Sequence, residues 1–328
     1  MTSEAWGSYQ PSPAPAGASP AAALRHALLW ASRRRSIKRA ITAAPVTRGV
    51  VRRFVAGESI DDAVRVAREL TTQGLLVSLD HLGEDTRDAP AARAAVDAYR
   101  ALAERLAAEG LAAGAEMSVK LSAVGQALDE GLALDNARLI CEAARSAGTT
   151  VTIDMEDHTT TDSTLRLVGS LREDFPTTGA VLQASLRRSE EDCRRLGVPG
   201  SRVRLCKGAY QEPPSLAWQR RDDIRAAYVR CLRALIAGGA LPMAATHDPK
   251  LIEATGRLVA AMRGRGFAHE YQLLYGVRPD EQRRLAMAGE TVRVYVPFGV
   301  QWYGYLMRRM AERPANTALF LRALMSRH

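Results

Sequence analysis

Only four lysines occur in this 328-residue chain, and two of them stand where an ammonium group could do chemistry. Lys120 follows Ser118-Val119, and Lys207 lies in Arg204-Leu205-Cys206-Lys207-Gly208-Ala209-Tyr210. Three more short strings carry polar groups at the ends of apolar runs: Asp154-Met155-Glu156-Asp157-His158, the run containing Gln183, and Ala245-Thr246-His247-Asp248. Burying such groups is costly unless they are paired, which marks them as candidates for function. Lys120 near Asp154 reads either as a structural ion pair or as a contact to substrate or cofactor. His247 reads either as a residue that starts the helix at Asp248-Pro249 or as a ligand contact. Lys207 could form a Schiff base, whereas the Gly208-Ala209 that follows suits close approach of backbone to a phosphate or a flat ring. Cys206, amid apolar neighbours, reads as packing. The histidines match no zinc spacing, and no metal is expected.

Near the C-terminus Tyr305, Arg308, Arg309 and Glu312 fall at i, i+3, i+4 and i+7, one face of a helix. Two guanidinium groups on one face can grip a single carboxylate, because each planar fork binds it bidentately. The plainer reading is a solvated Arg/Glu face, in a chain rich in arginine.

The elements that must position these groups alternate. Strand-like runs are expected at Leu75–Leu79, Ala115–Leu121, Thr150–Asp154, Ala180–Ala184, Arg202–Lys207, Pro242–Thr246, Ala268–Leu273 and Val292–Val296. Amphipathic stretches lie between them, with helix starts at Asp88-Ala89-Pro90, Asp248-Pro249, Pro279 and Pro314. Such alternation predicts a parallel sheet of α/β class, and eight repeats fit a (β/α)8 TIM-type barrel better than an open sheet. No GxGxxG follows an early strand, which removes the main support for a dinucleotide fold. In a barrel, chemistry belongs at the C-terminal ends of strands, and the polar strings lie there.

Charge divides the chain further. No acidic residue occurs between Glu4 and Glu58, where nine basic ones stand; the other 36 basic residues balance 36 acidic ones. The positive excess is therefore an N-terminal appendage rather than a groove in the folded body, and no nucleic acid is expected as partner. Residues 1–20 are rich in Pro, Ala, Ser and Gly and read as a disordered tail. Residues 21–70 read as a basic helical segment, and 71–328 as the catalytic barrel with extra N-terminal helices before it. The basic segment is open to three readings: a solvated helix on the barrel, peripheral contact with anionic lipid, or an organellar transit peptide. Four sparse cysteines without a CxxC pair point to a reducing compartment, and no apolar run is long enough to span a membrane.

Taken together the strings resemble the proline dehydrogenase family of flavoenzymes. Those that carry the match are Ser118–Ser122, Asp154–Asp157, Val181–Ala184, Arg204–Tyr210, Ala245–Asp248, Glu270–Gly276, Arg293–Pro297 and Tyr305–Arg309. They keep order and spacing from about residue 70 onward, and the length resembles the short, single-activity bacterial type. The resemblance implies a distorted barrel holding FAD noncovalently, with the last helix over its mouth. It also implies oxidation of L-proline to Δ1-pyrroline-5-carboxylate by hydride transfer to flavin N5, then reoxidation by a membrane quinone. By the same match, Lys120, Arg308 and Arg309 would hold the proline carboxylate, Leu205, Tyr295 and Tyr305 would pack on the ring, and Glu312 would pair with the arginines. Asp154 and Arg204 match active-site positions beside flavin and substrate, with Asp154 steering Lys120. Met155, Gln183, Lys207, Gly208, Ala209, Thr246 and His247 match FAD contacts. The resemblance implies a cytoplasmic enzyme, and the basic N-terminal region is compatible with the inner face of the membrane. Three positions depart from the family pattern: Gln211 stands where some members carry Trp, Asp248 where Asn is common, and Cys206 where valine is usual. A Schiff-base aldolase using Lys207 or Lys120 is the rival reading, and an inactive scaffold barrel is a third.

Overall fold

The computed structural model describes residues 51–262 and 267–312, with side chains as far as residue 307. The tail, the basic segment up to residue 50 and the helix start at Pro314 lie outside the described residues.

Eight parallel strands close into one barrel in sequence order. They are β1 (Leu76–His81), β2 (Ala115–Val119), β3 (Thr150–Ile153), β4 (Gly179–Gln183), β5 (Arg202–Cys206), β6 (Leu241–Ala245), β7 (Glu270–Leu274) and β8 (Val292–Phe298). The (β/α)8 expectation holds, and each expected run overlaps its strand. The one informative difference is β1, which continues through Asp80 to His81 and pairs there with Pro297 and Phe298 of β8.

Helices α1 (Ile60–Thr71), α2 (Ala89–Ala108), α3 (Glu130–Ala147), α4 (Thr161–Asp174), α5 (Ser189–Leu196), α6 (Arg221–Gly238), α7 (Pro249–Ala260) and α8 (Pro279–Met287) accompany the strands. Their starts follow local chemistry: the Asp88, Asp129 and Asp248 carboxylates each accept an orphan backbone N–H at a helix N-terminus. Pro90, Pro249 and Pro279 occupy first-turn positions where no N–H is needed. Ser59 and Asp62 form a capping box on α1.

Residues 54–300 make one compact unit that contains the whole barrel. That unit includes α1, which lies ahead of the barrel start expected at residue 71. Val64, Val66 and Ala67 of α1 are buried in the same apolar cluster as Val77, Leu79 and Val294 of the strands, so α1 belongs to the barrel. Helix α9 (Trp302–Glu312), the last element among the described residues, falls outside that unit.

Strand residues alternate in destination. Val77, Leu79, Met117, Val203, Leu205, Val294 and Val296 fill the apolar layer between strands and helices. Ser78, Glu116, Ser118, Thr152, Arg204, Glu270, Gln272 and Arg293 bond one another across the barrel. A barrel of this kind is ordinarily filled by branched apolar side chains. Here the filling is ionic.

Candidate active site

Arg204 stands at the centre of the barrel. Its Nε donates to Gln272 Oε1 at 2.5 Å, Nη1 to Ser118 Oγ at 2.7 Å and Asp154 Oδ1 at 2.6 Å, and Nη2 to Ser78 Oγ at 3.0 Å and Glu116 Oε1 at 2.5 Å. A guanidinium has five N–H donors, and all are used. Burial would lower its pKa, but Glu116 and Asp154 hold it higher than usual, so it is charged at any working pH.

Toward the mouth, Asp154 collects three partners. Oδ1 accepts from Arg204 and from Ser118 Oγ at 2.9 Å, and Oδ2 accepts from the Tyr295 hydroxyl at 2.8 Å. The Tyr295 ring also lies 5.3 Å from the Arg204 guanidinium carbon. Burial and the Asp154 and Asp80 carboxylates push the Tyr295 phenol well above its ordinary range, so it is a proton donor, not a base.

Lys120 is held otherwise than expected. Its Nζ donates to both oxygens of Asp80, at 3.0 and 2.9 Å, and lies 3.9 Å from Asp154. Asp80 is therefore the main partner, and Asp154 is engaged by Arg204 and Tyr295. Burial alone would lower the ammonium pKa, but the two carboxylates more than reverse this, and the group stays protonated. A Schiff-base nucleophile must be the neutral amine, so Lys120 is ill suited to aldolase chemistry.

On the rim of β4, β5 and β6 the remaining residues lie side by side. The Gln183 amide donates to Glu156 O at 2.7 Å, and Met155 is buried. Lys207, with 42% of its side chain exposed, reaches Asp248 Oδ2 at 3.3 Å. Asp248 also takes Arg225 Nε at 2.8 Å and caps α7 through Lys250 N at 3.2 Å. An amide at that position would keep the cap and lose the two ion pairs. Thr246 Oγ accepts from Asp248 N at 3.2 Å. His247 Nε2 accepts the Leu274 N–H at 2.9 Å, which puts its proton on Nδ1 and ties the β6 end to β7.

Gly208 has φ +104°, and a Cβ there would stand 2.2 Å from Ser185 Oγ. The serine hydroxyl can swing aside, but the backbone cannot. Gly208→Ala is expected to cost about 1–3 kcal/mol through strain at this position. A thermal melt reads it, and Ser185→Gly on the same background would not restore the loss. Ala209 beyond it is exposed.

Two expectations change. Leu205 alternates with the inward Arg204 and is fully buried among Cys193, Tyr228 and Leu232 in the layer behind the strand, so its side chain does not line the mouth. Cys206 is partly exposed rather than core. Burial of its thiol nonetheless pushes the pKa up to about 11, which leaves it a poor nucleophile.

Tyr305 lies on α9, and so do Arg308, Arg309 and Glu312, whose side chains are outside the described residues. Sequence reading missed Asp80, Glu116 and Gln272. The signal for each was a polar residue at an alternate position of an otherwise apolar strand.

The family model for proline dehydrogenase matches residues 63–322. Proline dehydrogenase 1 of Bacillus subtilis subsp. natto is 35% identical over 304 residues, covering 93% of this chain and 100% of its own length. The proline dehydrogenase of Deinococcus radiodurans is 38% identical over 278 residues, 83% of this chain and 89% of its own. Among solved structures, proline utilization A from Bdellovibrio bacteriovorus, inactivated by N-propargylglycine, superposes with a TM-score of 0.77 at 23% identity. That match covers 92% of this chain and 38% of the larger one, and is a likeness of fold.

Proposed function

The chain belongs to the proline dehydrogenase family, and we propose from this that it oxidises L-proline to Δ1-pyrroline-5-carboxylate with FAD as the acceptor and a quinone as the onward oxidant. The observation that carries the reading is the convergence of Lys120 and Asp154, just beyond the ends of β2 and β3, with Arg204 of β5 and Tyr295 of β8.

The rim suits a flavin nucleotide. Lys207 is a half-exposed cation on the rim, and Gly208 beside it has no side chain to block a phosphate or a ring edge. With Gln183, Thr246, His247, Met155 and Ala209 it forms the set that would hold FAD. The bound cofactor would supply a two-electron acceptor at its N5.

The residues of the chain do the positioning. Lys120, fixed by Asp80, presents a permanent ammonium to the substrate carboxylate. By the family resemblance, Arg308 and Arg309 would serve the same carboxylate, with Tyr305 and Glu312 as further members of that set. Tyr295 would pack on the ring. As C5 gives up its hydride, the nitrogen lone pair forms the C5=N bond and the proton on the ring nitrogen passes to solvent. The Arg204 charge, already oriented by its five partners, would stabilise the negative charge that a flavin held at this mouth gains on reduction.

An absorbance spectrum before and after anaerobic addition of L-proline tests this. Flavin bands that bleach are expected. Bands that stay oxidised would reject proline as the donor. Protein without flavin after reconstitution with FAD would reject the cofactor and favour the lysine aldolase reading, whose borohydride-trapped adduct on Lys207 mass spectrometry would detect. For the N-terminal segment, deletion of residues 1–53 is expected to abolish co-sedimentation with anionic liposomes, and retained binding would end the lipid proposal.

A further inference from the structure

The charges inside the barrel form one ladder of alternating sign. It starts with Glu270, which receives Arg293 Nε at 2.9 Å, and Arg293 Nε lies 4.0 Å from Glu116. Glu116 takes Arg204 at 2.5 Å, Arg204 reaches Asp154 at 2.6 Å, and Asp154 lies 3.9 Å from Lys120, which closes on Asp80 at 2.9 Å. Arg202 branches from Glu116. Four acids (Asp80, Glu116, Asp154, Glu270) thus face four bases (Lys120, Arg202, Arg204, Arg293), and the ladder is neutral.

Glu116 is the hub of the ladder and has no exposed surface. One oxygen holds Arg204, and the other takes Arg202 and the Thr152 hydroxyl at 3.0 Å. It lies within the strand, away from the end at which Lys120 and Asp154 stand, so it does not itself touch a ligand bound at that end. Removing its charge would leave the Arg204 guanidinium in place on four partners but raise the net charge of the ladder by one. Removing Arg202, also away from the mouth, would lower it by one. In a low-dielectric interior such a change is felt across the barrel.

We propose that Glu116, acting through Arg204, offsets the charge of that guanidinium and so sets how readily a flavin at the strand ends accepts electrons. This rests on the FAD reading above. Two-electron reduction adds negative charge to the ring, so extra positive charge beneath it raises the reduction potential and extra negative charge lowers it.

The test compares flavin content, melting temperature and anaerobic midpoint potential of the full-length holoenzyme in four forms: wild type, Glu116→Gln, Arg202→Gln and the double variant. Glu116→Gln is expected to shift the potential upward by ~30 mV or more, a tenfold change for a two-electron couple. Arg202→Gln should shift it downward, and the double variant should return toward wild type. Structural damage alone has no reason to give shifts of opposite sign that cancel. If Glu116→Gln does not fold, Arg202→Gln still must lower the potential, and an unchanged value overturns the proposal. Flavin-loaded variants that all share the wild-type potential, or that move in the same direction, also overturn it. A wild-type protein that takes up no flavin instead refutes the FAD reading, and the proposal falls with it.

Discussion

Replacing Arg204 with alanine is expected to destabilise the barrel by roughly 3–5 kcal/mol, the usual cost of breaking a buried ion pair from one side. The guanidinium is 4% exposed and holds two carboxylates, two hydroxyls and an amide oxygen at once. Its loss leaves one oxygen of the fully buried Glu116 without its guanidinium, the other still held by Arg202 and Thr152, and leaves Asp154 with hydroxyl partners and a lysine 3.9 Å away. Against a typical total stability of about 5–15 kcal/mol, this single change removes a large part. Arg204→Lys should recover only part of it, since three donors on one ammonium cannot satisfy five acceptors. Urea denaturation of the three proteins measures the order, and an alanine variant within ~1 kcal/mol of wild type would show that the ladder tolerates a missing rung. What folds should also turn over about 10²-fold more slowly, the scale of a misplacement near 1 Å at the reacting groups. Acid makes the same point. Burial would raise the Glu116 pKa, but Arg293, Arg202 and Arg204 hold it well below the usual range. Its stabilisation is therefore complete above its unfolded pKa, roughly 4.3, and declines as pH falls below that value.

Why the ladder was only half legible follows from how strands are read. Runs of Val, Leu and Ala made all eight strands visible, because their outward faces must be apolar to meet the helices. The strand ends were visible too, since Lys120, Asp154 and Lys207 break those runs. Asp80 was not. The apolar run at Leu75–Leu79 stops where the polar residue begins, yet β1 continues and Asp80 is an inward position beside Ser118 of β2. Glu116 was hidden for the same reason, one alternation below Ser118. A polar residue in a strand reads as the end of that strand unless its partner is known, and the partners here lie on other strands. Arg204 and Glu116 are 88 residues apart in sequence. Leu205 illustrates the converse. Adjacency to Arg204 in a string says nothing about facing the same way, because neighbouring strand residues point to opposite sides.

Replacing Lys120 with alanine should separate binding from stability. The ammonium does two jobs: it neutralises Asp80, which is 1% exposed, and it carries the positive charge proposed for the substrate carboxylate. Losing a charge-assisted hydrogen bond costs about 1.5–3 kcal/mol, so kcat/KM for proline should fall roughly 10- to 150-fold, mainly through KM. Asp80, left buried without its ammonium partner, should cost the fold stability. The double variant Asp80→Asn/Lys120→Ala removes that stranded charge. It should regain much of the lost melting temperature while kcat/KM stays low, because nothing has replaced the ammonium. Recovery of both together would mean that Lys120 serves the fold alone and that the carboxylate is held elsewhere. The pH profile supplies an independent check. Asp80 and Asp154 hold the wild-type lysine protonated beyond its ordinary range, so the stabilisation is present below the unfolded lysine pKa, about 10.4, and is lost only as pH climbs through the higher folded value. Binding of proline should therefore show no Lys120 ionisation below pH ~10. A lysine that titrated near neutrality would instead be the free amine that Schiff-base chemistry requires, and would return the aldolase reading to contention.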